Sequence, residues 1–170
     1  MNQLTQAIGG FCDWLAATPI SLVIQNVVWI IPMIQSAHIA SVAIVVGSVL
    51  MIDMKLLGLA GSGSTMTAQL RRYTPWIWSA LAVLFCTGLV LICAEPRREL
   101  LNAVFLSKMA LIVFILLSTI AFERVVCRNA SRWSDMSSSP VMAKVFAVAS
   151  LGVWIAIIVC GRWIAYVEHG

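Results

Sequence analysis

The chain has 170 residues, 61% of them hydrophobic and only 11% charged, with a mean hydropathy of +0.97. A water-soluble domain carries about a quarter charged residues, so this composition excludes an ordinary soluble fold. The net charge of +4 does not point to nucleic acid, because the basic residues fall in loops between apolar runs and no basic patch interleaved with aromatics is present.

The N-terminus, MNQLTQAIGGFCDWL, has no basic leader, so no cleavable signal peptide is expected. Residues 4–31 are apolar in part but do not form a clean span. Asp13 and Trp14 suit a membrane interface. Thr18 and Pro19 read as an N-cap followed by proline at the first helical position. Beyond them Ser21, Gln25 and Asn26 share a helical face opposite Ile20, Val23, Ile24 and Val27. This pattern predicts an amphipathic helix lying along the bilayer surface.

A single helix from Pro19 to Leu57 would be roughly 58 Å long, about twice the hydrocarbon thickness. Pro32 is the expected break and opens the first span, about 32–57. Thr74 and Pro75 read as a second cap-and-proline start, with a span over 76–94. A third span covers about 100–122 and contains Lys108. A fourth follows Ser137, Ser138, Ser139 and Pro140 and covers about 141–166. Gly58 to Ser64 is a flexible turn. The whole chain reads as one all-α membrane domain, a four-transmembrane-helix bundle with an N-terminal interfacial helix.

Lysine and arginine set the orientation. Lys55, Arg71, Arg72, Arg124, Arg128, Arg132 and Lys144 flank the loops after spans one and three. Arg97, Arg98 and Arg162 lie on the other side, offset by Asp13, Glu95, Glu99 and Glu168. The richer side is expected to be cytoplasmic, with both termini periplasmic in a bacterial inner membrane.

Polar groups at membrane depth are costly and so are the best pointers to chemistry. His38 lies two turns inside span one, with Gln35 and Ser41 at i−3 and i+3. A buried neutral imidazole suits metal or haem ligation, an interhelical hydrogen bond or a proton relay. Lys108 is expected at a similar depth, because spans one and three start from the same side. It can snorkel, pair with Glu95 or Glu99, or ligate as a neutral amine. Arg162 keeps its proton and needs an anion, such as lipid phosphate or a cofactor propionate, or backbone carbonyls.

Asp53 and Lys55 read as boundary markers, with Arg71 or Arg72 as alternative partners for the aspartate. Trp76, Trp78, Trp154 and Trp163 read as belt residues, and Gly47 and Gly88 as points of close helix approach. Five cysteines without a CxxC pair read as small buried hydrophobes. The methionines form no paired copper-conduit pattern. GxSxG, HExxH and Walker A motifs are absent. Of the two histidines, His169 lies in the C-terminal tail, so a bis-histidine haem would have to recruit that tail.

The run from Trp29 through Pro32 and Gln35 to His38, continuing to Asp53, Lys55, Leu56, Leu57 and Gly58, resembles an uncharacterised family of small bacterial four-helix membrane proteins. Asp13, Trp14, Leu15, Thr18, Pro19, Gly161, Arg162 and Trp163 fit the same pattern. The histidine-bearing first span and the run Lys108, Met109, Ala110, Leu111 are also similar to HemJ-type protoporphyrinogen oxidases, small haem-binding bundles. That similarity implies His38 and Lys108 as haem ligands. The histidines that follow each run in those proteins are missing here. Copper-resistance proteins of the CopD type are a second, more distant likeness.

These readings lead to a b-type haem protein of membrane electron transfer or redox chemistry. His38 would be axial ligand to the metal, Lys108 a second ligand or propionate partner, Arg162 a propionate clamp, and Gln35 a neighbour in the cofactor pocket. The competing expectations are a non-catalytic accessory subunit of a larger membrane complex and a small homo-oligomeric transporter.

Overall fold

The computed structural model describes residues 3–60, 63–128 and 141–164. The expectations about Arg132, Glu168, His169, the serine run before Pro140 and the last residues of span four lie outside them. The described residues are all helical or in short connections: α1 (Gln3–Ala16), α2 (Pro19–Asn26), α3 (Ile30–Leu56), α4 (Met66–Ala94), α5 (Pro96–Leu100), α6 (Ala103–Arg128) and α7 (Val141–Trp163). Helices α3, α4, α6 and α7 are each long and apolar enough to cross a membrane, and the chain is a multi-pass membrane protein.

The long helices exceed the apolar runs that delimit them in the sequence. Helix α4 starts about ten residues before the expected span. Thr65 is its N-cap and accepts a hydrogen bond from the Ala68 amide. Thr74 and Pro75 therefore do not open a helix; Pro75 sits inside one. Pro32 falls in the first turn of α3, where its missing N–H breaks no helical bond. At the other end of α3 the chain reverses through Gly58, whose φ of +78° suits a residue without a Cβ.

Helix α3 packs closely on α4, and α6 on α7. Helix α7 also packs on α3, whereas α4 and α6 touch only lightly. Helices α3 and α6 are diagonal across the bundle. The apolar core runs along the interior through Val45, Ala80, Ile115 and Trp154, among others. Trp154 is thus a core residue and not a belt residue, because it lies halfway along α7. Trp163 is exposed in the last turn of its helix, whereas Trp76 and Trp78 are exposed nearer the middle of α4, since that helix begins at Met66.

Cys12 is the one fully buried cysteine among the described residues. Cys86 and Cys127 are exposed, since an apolar residue on a membrane helix can face lipid as readily as the core. Gly47 has nothing near it, so it brings no helices together.

Helices α1 and α2 meet at a bend of 69°. The polar face of α2 docks onto the C-terminus of α4. Ser21 donates to the Cys93 carbonyl at 2.6 Å, and the Gln25 amide donates to the Ala94 carbonyl at 2.9 Å. These carbonyls are left without helical partners where α4 ends, and α2 supplies the missing donors. Arg97 in α5 grips Asp13 in α1 through two bonds of 2.6 Å. The adjacent Cys12 thiol points at the Pro96 carbonyl.

Candidate functional site

Two polar layers occupy the bundle. The first lies toward the end carrying α1, α2 and α5. His38 on α3 is half-buried, and its Nδ1 is 2.7 Å from the Thr87 hydroxyl on α4. That hydroxyl also lies 2.7 Å from the Val83 carbonyl and donates its only proton there. Thr87 must then accept from His38, which places the imidazole proton on Nδ1 and leaves a lone pair on Nε2. The ring edge lies against Gly88, where a Cβ would sit 3.8 Å from Cε1.

Lys108 on α6 faces α7. Its Nζ lies 3.5 Å from where a Gly161 Cβ would be. Glu99 and Cys160 are within electrostatic reach of the same amine. The imidazole thus lies against Gly88 of α4 and the amine against Gly161 of α7, both toward the same end of the bundle. Burial pushes the Glu99 carboxyl up, while Lys108 and Arg98 pull it down.

The other two candidates stand apart. Gln35 is exposed one turn before His38 and makes no side-chain hydrogen bond among the described residues, and Ser41 turns its hydroxyl back to Ala37. Arg162 is exposed in the last turn of α7, next to Gly161.

The second layer lies toward the opposite end. Asp53 is only 1% exposed, and the Ser150 hydroxyl donates to its carboxyl. Its Oδ2 has no hydrogen-bond partner among the described residues. No ion pair joins it to Arg71 or Arg72 among the described residues, both of which are exposed. Asp53 is therefore not a boundary marker. The early start of α4 brings Leu70 and Thr74 alongside it and seals it from the surface. A cavity of about 40 Å³ adjoins it, with room for a few waters. Thr74 donates to Glu123 at 3.2 Å across the α4–α6 seam.

Among the described residues no three or more His, Cys, Asp or Glu side chains gather as a metal cluster. A family model of unknown function, DUF6644, matches residues 14–167. The chain belongs to this family. No curated protein and no solved structure matches it.

Proposed function

We propose that this DUF6644 protein binds haem b through His38 and works in membrane electron transfer or redox chemistry. The observation that carries the reading is the Thr87 bond at Nδ1, which leaves Nε2 with a free lone pair. The residues fit an iron ligand of this kind. The imidazole is held in one tautomer, and the lightly packed α4–α6 seam offers a flat ring a way in. Lys108 serves as second ligand or as partner of an acidic group of the cofactor, and Arg162 as a further anion clamp at the bundle end. Haem would supply the one-electron chemistry; the chain would hold the ring, exclude water and tune its potential by burial.

The test is the absorption spectrum of protein purified in mild detergent after haem-supplemented expression. A Soret band is expected in the native chain and is lost or strongly weakened in His38→Ala. A native chain with no Soret band would refute the proposal.

A second reading is an accessory subunit or homo-oligomer. It is favoured by α6, which is the least buried of the four long helices and exposes Phe114 and Leu117. The location proposed is a bacterial inner membrane, with both termini periplasmic and α1–α2 along the outer interface. Lys55, Arg71, Arg72, Arg124, Arg128 and Lys144 all fall at the opposite end, which supports that orientation.

A further inference from the structure

The Asp53 cavity is separate from the His38 layer. Along all four long helices, core residues intervene: Val45 on α3, Ala80 on α4, Ile115 on α6 and Trp154 on α7. The polar side chains around the cavity come from every long helix: Asp53, Thr74, Thr119 and Glu123, and Ser150. Apart from the Trp78 indole, each offers oxygen, and no lysine, arginine or histidine lines the space. The two hydroxyls with known partners give their protons to carboxyl groups, Ser150 to Asp53 and Thr74 to Glu123. Their remaining lone pairs are acceptors.

An ionised Asp53 without a counter-charge would be very costly at this depth. A protonated one can give its proton to a cavity water or to a turned Ser150 hydroxyl. The ionised state leaves the site incomplete, and a cation bound at Oδ2 completes it. Oxygen donors select a hard ion. Only two carboxyls are present, and the described residues hold no cluster of three acidic, histidine or cysteine side chains of the kind a divalent ion favours. The small volume suits one ion with a water or two.

We propose that the cavity between α3, α4, α6 and α7 is a binding site for a monovalent metal cation of sodium size, with Asp53 as its charged ligand and Ser150, Thr119 and Glu123 as supporting oxygens. The site does not depend on the haem reading.

The test is thermal unfolding of the full chain in mild detergent at fixed ionic strength and mildly alkaline pH, with sodium chloride replacing choline chloride. Fluorescence of Trp78, which borders the cavity, provides a parallel readout. The melting temperature of the native chain should rise saturably with sodium. Asp53→Asn, which keeps the shape and removes the charge, should show no such rise. Should that variant fail to fold, Thr119→Val should shift half-saturation to higher sodium. The proposal is overturned if sodium does no more than choline, or if Asp53→Asn or Thr119→Val responds as the native chain does. It is also overturned if stabilisation comes only on lowering the pH, since the carboxyl then holds a proton instead.

Discussion

The Thr87 hydroxyl has one proton to give, and the Val83 carbonyl at 2.7 Å takes it. The state of the His38 ring follows from that single donation. Replacing Thr87 by valine keeps the side-chain shape but removes the acceptor, so the imidazole can place its proton on either nitrogen. Loss of such a supporting bond typically lowers affinity for a ligated metal by about 10- to 100-fold. Thr87→Val should therefore weaken haem binding in a titration followed at the Soret band, while Thr87→Ser should retain it. A role confined to helix packing would make serine, with its smaller volume, the worse substitution. The placement of His38 and Lys108 toward the same end of the bundle was legible in the sequence, because both stand within about two turns of the starts of helices that run the same way. Asp53 was not. A carboxylate near Lys55 at the end of an apolar run looks the same whether the helix stops there or is covered by a neighbour. The signal that separates the two cases lies in α4, where Met66, Leu70, Tyr73 and Ile77 continue a helical stripe through Pro75.

At the scale of elements, the N-terminal pair is held to the bundle by polar bonds as much as by apolar contact. The stripe of Ser21 and Gln25 that reads in the sequence as a water-facing side meets the unsatisfied carbonyls of α4. Amphipathicity was legible there, but its partner was not, since a polar face can seek water or a helix end equally well. The Asp13–Arg97 clamp adds a dependence on pH. The Arg97 guanidinium holds the Asp13 carboxyl below its ordinary value of 3.8. A carboxyl depressed on folding contributes fully above its unfolded value, and that contribution is lost as the pH falls through the lower, folded value. Both partners are exposed, so the contribution is small and screened by salt. Hydrogen exchange of the α1 and α2 amides should therefore quicken modestly, relative to α4, as the pH drops from about 5 to about 3. Arg97→Gln should show the quicker relative exchange already at neutral pH and no further change on acidification. Equal pH dependence in the two proteins would remove the clamp from the account.

At the scale of the whole molecule, an apolar layer divides the interior. His38, Thr87 and Lys108 lie on one side of it, and Asp53, Ser150 and Glu123 on the other, with Trp154 between. An open aqueous path would need to pass that layer, so the arrangement suits two separate sites better than one conduit. The loops differ in charge at the two ends. Lys55, Arg71, Arg72, Arg124, Arg128 and Lys144 gather at the Asp53 end, whereas Arg97 and Arg98 at the other end are matched by Asp13 and Glu95. The positive-inside rule counts lysine and arginine, and on the proposed orientation the Asp53 end would face the cytoplasm. In a variant whose five cysteines are replaced by serine, a single cysteine at Ser64 should react with a membrane-impermeant maleimide in inside-out vesicles and not in spheroplasts. A single cysteine at Arg98 should show the reverse. The opposite pattern would turn the molecule over. Sodium at Asp53 would then be drawn from outside the cell, and His38 would face electron donors of the cytoplasm.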